Sequence, residues 1–106
     1  MEGKAVTFEK SILKPHETSL KVYPNPSHGD VNIEINIPEG YENALRTKVE
    51  IYDISGRVID RIVRSELLHS GETTIPYDCS NLSKGVYFIR MSSEDGVIIQ
   101  PLVISE

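Results

Sequence analysis

From Leu20 onward, apolar residues recur at every second position, the period of a strand that lays one face on a core and the other in water. Asp30 to Ile37 shows it most cleanly. Val31, Ile33, Ile35 and Ile37 alternate with Asn32, Glu34 and Asn36, and Pro38-Glu39-Gly40 ends the run. Thr47 to Asp53 repeats the pattern, with Val49 and Ile51 on one face and Lys48, Glu50 and Tyr52 on the other. Ser19 to Tyr23 predicts a short strand stopped by Pro24 and Pro26. Neither proline has an amide to donate, so this run leaves the sheet or lies on an edge. Arg57 to Val63 returns from the Thr47–Asp53 strand. Its apolar residues come in pairs, Val58-Ile59 and Ile62-Val63, so either a bulge re-aims it or both faces are covered. Glu66 to Gly71 reads as a connection. Thr73 to Tyr77, Val86 to Ser92 and Gly96 to Ser105 supply the remaining strands, the last two joined near Glu94-Asp95-Gly96.

About seven strands at roughly ten-residue spacing predict an all-β fold, an immunoglobulin-like antiparallel β-sandwich with almost no helix. Its core is expected to hold Val31, Ile33, Ile35, Val49, Ile51, Leu82 and Tyr87. Residues 1–18 are weakly patterned. Ala5-Val6-Thr7-Phe8 could be a strand of this domain or of a neighbour, and the stretch around Lys14-Pro15-His16 has linker composition. The expected division is a linker or the end of an upstream domain over 1–18 and one sandwich domain over 19–106.

Composition narrows the function classes. The chain has 106 residues, 39% hydrophobic and 25% charged, which suits one globular domain rather than a disordered one. Its formal net charge of -5, with no basic cluster, argues against a nucleic-acid surface. No apolar run approaches the ~20 residues of a membrane-spanning helix, and the N-terminus has no signal-peptide core. The expectation is therefore a piece from the C-terminal end of a longer protein.

Candidate chemistry is sparse. Cys79 stands alone, so it forms no internal disulfide, and it reads as a small half-buried apolar residue. His16, His28 and His69 fall far apart in loops, and Asp53, Asp60, Asp78 and Asp95 lack calcium-loop spacing. No Gly-x-Ser-x-Gly elbow occurs. No catalytic, cofactor-binding or metal-ligating residue is expected, and no enzyme activity.

What stands out is turn chemistry set against strands. Tyr23-Pro24-Asn25-Pro26 is the first such run. In Asp53-Ile54-Ser55-Gly56-Arg57, Asp53 can accept from backbone amides and Gly56 can take a positive φ, which predicts a type I turn closed by a glycine bulge. In Leu82-Ser83-Lys84-Gly85-Val86-Tyr87-Phe88, Leu82 plugs the core from a loop and Gly85 permits an unusual turn conformation. Tyr87 carries a buried ring whose hydroxyl needs a partner, as in the tyrosine corner of sandwich domains. The last strand ends in Leu102-Val103-Ile104 and holds Pro101, which should bend it or confine it to an edge.

These motifs, in this order and this close to the chain end, resemble the C-terminal sorting domain of type IX secretion cargo proteins from Bacteroidota (the Por secretion tail, type A). The likeness covers about Leu20 to Glu106. It implies passage through the periplasm of a Gram-negative bacterium to the cell surface or medium. The partners implied are an upstream cargo domain in the same chain and the translocon and sortase at the outer membrane, the sortase then removing the domain. Tyr23, Pro24, Asn25, Pro26, Asp53, Gly56, Arg57, Leu82, Gly85, Tyr87, Leu102, Val103 and Ile104 become the candidate recognition and structural positions. The chain departs from the family's usual basic terminal strand, ending instead in Pro101-Leu102-Val103-Ile104-Ser105-Glu106.

Two other readings compete. One is a non-catalytic carbohydrate-binding or adhesion module of an extracellular enzyme. Such platforms stack sugars on aromatic rings, and here there is no Trp and the tyrosines are scattered. The other is a spacer domain. Unpaired sandwich edges also raise the expectation of a weak homodimer, through the terminal segment or residues 1–10.

Overall fold

A computed structural model describes residues 18–39 and 44–105. The possible strand over 5–8 and most of the linker, His16 included, lie outside the described residues. Within them, seven strands run β1 (Ser19–Tyr23), β2 (Asp30–Ile37), β3 (Leu45–Asp53), β4 (Val58–Leu68), β5 (Gly71–Asp78), β6 (Gly85–Ser93) and β7 (Gly96–Ile104), and no helix occurs among them. They form two antiparallel sheets, of order β1-β2-β5 and β4-β3-β6-β7. Lettered in chain order, that is A-B-E against C′-C-F-G, an immunoglobulin-like sandwich.

The alternation read from sequence sets which face is inside. Leu20, Val31, Ile33, Ile35 and Ile37 of the smaller sheet meet Leu45, Val49, Ile51, Val63, Tyr87, Ile89, Met91, Leu102 and Ile104 of the larger one in a single buried cluster that also includes Cys79. Each such aliphatic side chain contributes about 1.5–3 kcal/mol on leaving water, so this seam dominates the favourable side of folding. The expected core residues are all buried except Leu82, which is only half-buried. Leu82 sits on the loop after β5 and packs against the rim of the cluster, while Cys79, three residues earlier, takes the buried position.

Two expectations about β4 are settled by its pairing with β3. The register shifts between Thr47 and Val49, between Val49 and Glu50, and between Ile51 and Tyr52, so bulges explain the paired apolar residues. The strand also runs on through Glu66-Leu67-Leu68, which had read as a connection. Leu45 pairs with Leu68 and Thr47 with Glu66, so β3 begins two residues earlier than its alternation suggested and gives β4 a partner there. Only His69 and Ser70 separate β4 from β5.

β7 is an edge strand. Pro101 is tolerated on it because residue 101 turns its backbone polar groups away from β6: its carbonyl accepts from a side chain on the outer side, so the missing N–H is not a rung of the β6–β7 ladder.

Candidate functional site

The turn from β3 to β4 is built almost entirely from its own five residues. The Gly56 N–H donates to the Asp53 carbonyl at 3.0 Å and the Asp53 N–H to the Arg57 carbonyl at 3.0 Å. Gly56 takes φ of +90°, a conformation that costs a side-chain-bearing residue roughly 1–2 kcal/mol. Asp53 Oδ1 accepts from the Ser55 amide at 2.9 Å, the Ser55 hydroxyl at 2.7 Å and the Arg57 amide at 3.0 Å. Asp53 Oδ2 accepts from Arg57 Nε at 3.1 Å, with Nη2 at 3.0 Å. Every bond favours the ionised carboxylate. The Ser55 hydroxyl foremost, then the Arg57 amide, bring Asp53 down to about 2. This is the predicted turn and glycine bulge.

The loop into β6 is a tyrosine corner. The Tyr87 ring is buried, and its hydroxyl donates to the Ser83 carbonyl at 2.7 Å. The Ser83 hydroxyl lies 3.3 Å away. A bond to the backbone four residues upstream satisfies the one polar atom of an otherwise apolar group. Just before it, the Leu82 N–H donates to the Cys79 carbonyl at 2.9 Å, and the Cys79 N–H to the Gly29 carbonyl at 3.2 Å. The Cys79 thiol is buried and burial pushes it up, away from the reactive thiolate.

Tyr23 to Ser27 works differently. The Tyr23–Pro24 and Asn25–Pro26 peptides are both cis. Tyr23 points to the outer face of the smaller sheet, where its hydroxyl donates to Glu34 at 3.2 Å and is held above its usual range by that bond. Asn25 turns the other way, to β7. Its Nδ2 donates to the Pro101 carbonyl at 2.8 Å, and its Oδ1 accepts from the Val103 amide at 2.9 Å. Ser27 then adds main-chain bonds: its N–H donates to the Val103 carbonyl at 2.9 Å, and its carbonyl accepts from the Ser105 amide at 2.8 Å. These make a parallel bridge to Ile104.

Strand register brings the motifs to one end of the sandwich. Asp53 pairs with Tyr87 across β3 and β6, and Tyr87 pairs with Leu102 across β6 and β7. Gly85 pairs with Ile104 and Val86 with Val103, and Asn25 and Ser27 lie along the outer side of the same three terminal residues. Leu102 and Ile104 point into the core, while Val103 is half-buried. Pro24, Pro26 and Arg57 are exposed.

Several participants were not foreseen. Ser27 is fully buried, its hydroxyl donating to the Asp30 carbonyl and accepting from the Gly29 amide, both at 3.1 Å. Gln100 Nε2 donates to the Leu20 carbonyl at 3.1 Å, and Thr18 donates to Asp95 from its amide at 3.2 Å and its hydroxyl at 3.0 Å. Glu50, expected on the wet face, is buried there. Tyr52 donates to it at 2.7 Å and Arg61 lies at 3.3 Å, with the Tyr52 bond foremost in lowering its pKa. Sequence spacing carries no signal for the contacts that cross 70 or more positions. Glu50 and Tyr52, two apart on one strand face, were the one pair that alternation places together.

The outer face of the larger sheet next to this end is apolar. Tyr52, Ile54, Phe88, Arg90 and Ile99 line an open groove of about 580 Å³, with Ile54 at 78% and Ile99 at 55% exposure. His28 and His69 are exposed in separate loops, and among the described residues no three His, Cys, Asp or Glu side chains converge as a metal site would require. Tyr23 and Tyr52 stand on opposite outer faces, with Tyr52 paired across the strands with Phe88.

Among curated proteins none matches the chain. The family model of the secretion system C-terminal sorting domain matches residues 21–105, which is β1 through β7 nearly entire. The family is one of sorting signals rather than catalysts, and it ties the chain to a larger cargo and to the type IX secretion machinery. The chain belongs to the type IX C-terminal sorting domain family, which directs cargo to the cell surface or medium.

Proposed function

We propose that the end of the sandwich where the motifs meet is the part of the domain that the outer-membrane translocon engages, with β7 as the strand it reads. The observation that supports this is the convergence of Asn25, Asp53, Tyr87 and Leu102–Ile104, scattered over 80 positions of sequence, around the end of the last strand. An ordered edge strand beside an exposed apolar groove offers both backbone groups and side chains to a partner, without that partner touching the cargo. The division of labour within the site follows burial. Leu102, Ile104 and Tyr87 hold the strand in place, and Val103 and Ile99 face outward beside it. The chain itself acts as an address and not as an enzyme. After export a cell-surface sortase removes it. A cut ahead of Ser19 leaves every strand of the sandwich whole, which fits a domain boundary near residue 18.

The test is export of a folded reporter carrying this chain at its C-terminus, in a host with the type IX system. Deleting Leu102 to Glu106 is expected to leave the reporter active but retained in the periplasm, read by a fractionation blot with an activity assay. Wild-type surface levels of the truncated protein would end the reading.

A weak homodimer through edges is a further part of this proposal. Among the described residues no strand forms a main-chain ladder with the outer side of the first half of β7, and Val97 and Ile99 there are about half exposed. Light scattering over a concentration series is expected to show mass rising toward twice the monomer. A constant monomer mass across the series removes the dimer and leaves the sorting reading intact.

A further inference from the structure

β7 is an edge strand by sheet order, yet its terminal half is not an open edge. Segment 18–27 is laced onto it from the other sheet, mostly by side chains. Thr18 grips Asp95 in the turn that starts β7, Gln100 reaches the Leu20 carbonyl, and Asn25 takes up the Pro101 carbonyl and the Val103 amide together. The Asn25 carboxamide presents an acceptor oxygen and a donor nitrogen at the spacing of a peptide group. It thus fills the place of one residue of a missing neighbouring strand, and Ser27 follows with two true main-chain bonds to Val103 and Ser105. Beyond Pro101, the outward-facing groups of the strand are thereby satisfied.

From this geometry we infer that Asn25 is a positioning residue for the terminal strand: its carboxamide caps the edge of β7 and fixes Pro101 to Ser105 in the arrangement the export machinery meets. The inference rests on the reading that the machinery engages this strand. It gives the Tyr-Pro-Asn-Pro run a role that its own loop does not explain. The Tyr23 hydroxyl bonds Glu34 instead, and of residues 23 to 27 Asn25 and Ser27 are the ones that hydrogen-bond the strand. Asn and Gln hold a donor nitrogen and an acceptor oxygen side by side in one plane, where a hydroxyl has a single atom for both roles, and Asn does so with the shorter reach. Asp keeps the acceptor for Val103 but presents an oxygen to the Pro101 carbonyl, so it satisfies half of the contact.

The experiment uses the whole chain, and the same chain behind a reporter. Amide exchange is measured residue by residue for wild type, Asn25→Ala and Asn25→Asp, with thermal midpoints and export efficiency alongside. Asn25 is exposed, so the core is untouched by either change. Loss of one hydrogen bond at an edge is expected to speed Val103 exchange about tenfold in Asn25→Ala. Val31 and Ile89 amides and the midpoint should stay near wild type, and export should fall. Asn25→Asp is expected to restore protection of Val103 and part of the export. Unchanged Val103 exchange in Asn25→Ala would overturn the inference, and so would faster exchange with export at wild-type levels. Export by the Leu102–Glu106 deletion tells the failures apart. If the deletion is exported normally, the terminal-strand reading itself has failed. If the deletion is blocked but Asn25→Ala is exported normally, only the positioning role has.

Discussion

The two most distinctive turns of this domain, Asp53–Arg57 and Tyr23–Ser27, obtain their order from opposite sources. In the first, the side-chain hydrogen bonds of Asp53 close within four positions of chain, and the turn is a self-sufficient unit. In the second, the central side chain is satisfied only by residues 76 and 78 positions away. A local device needs only its own sequence and the twist of the strands it joins. A long-range device takes its final form only when β7, the last strand of the sandwich, is in place. The difference suits their positions: the first ends a hairpin that any sandwich needs, and the second depends on the completion of the chain end.

The Tyr87 corner combines both sources, which makes it the sharpest way to separate them. Its hydroxyl bond is local, four residues back, while its ring is buried between sheets whose members come from the whole chain. Tyr87→Ala removes both and is expected to cost about 3–5 kcal/mol, as truncation of a large buried ring does. Tyr87→Phe removes the local bond alone and is expected to cost about 1 kcal/mol. Denaturant midpoints with unchanged slopes measure both. Equal losses for the two variants would mean that the corner, like the β3–β4 turn, is held by its local bond. A loss near zero for Tyr87→Ala would mean that the ring carries no packing at all. For a domain with typical stability of about 5–15 kcal/mol, the larger loss is a substantial part of the whole.

The same distinction explains what was legible in the sequence. Alternation and turn signals together located all seven strands, and alternation named Val31, Ile33, Ile35, Val49 and Ile51 as buried, because a period of two is a local signal and a sandwich must hide one face of each strand. Asp53 and Gly56 announced their turn for the same reason. Tyr87 announced a hydroxyl in need of a partner but not which one. The extension of β4 to Leu68 was hidden because its partner, Leu45, sits before the point where β3's own alternation becomes clear. Pro24 and Pro26 read as strand terminators and Asn25 only as part of their run, since nothing near it in sequence reveals the carbonyl and amide of β7. Ser27 carries no signal in the sequence and is fully buried. The family resemblance supplied the grouping of the motifs; register supplied its physical basis, by stacking Asp53, Tyr87 and Leu102 in one row.

The smallest expected effect isolates the purely local turn and concerns pH. Asp53 stands near 3.8 when free of partners and at about 2 in the folded turn, so folding favours its ionised form. A carboxylate depressed on folding adds stability that is fully present above its unfolded value and disappears as pH falls through the folded one. The Asp53 contribution therefore declines between about pH 4 and pH 2. Asp78 and Glu50 are lowered as well, so the wild-type acid profile alone does not identify one carboxylate. The difference between wild type and Asn in place of Asp does. Asp53→Asn is expected to be less stable than wild type at pH 6, and the gap should shrink steadily toward pH 2, read as denaturant midpoints at matched ionic strength. Asn can still accept from the Ser55 and Arg57 amides through one oxygen but cannot pair with the exposed Arg57 guanidinium, so the gap at neutral pH should be modest and reduced by salt. A gap that does not vary with pH would show that the charge of Asp53 plays no part and that the turn is held by geometry alone. A change that also slows or speeds exchange at Val103 would break the comparison itself, because the side-chain bonds of Asp53 close within the turn and none reaches the edge that Asn25 caps.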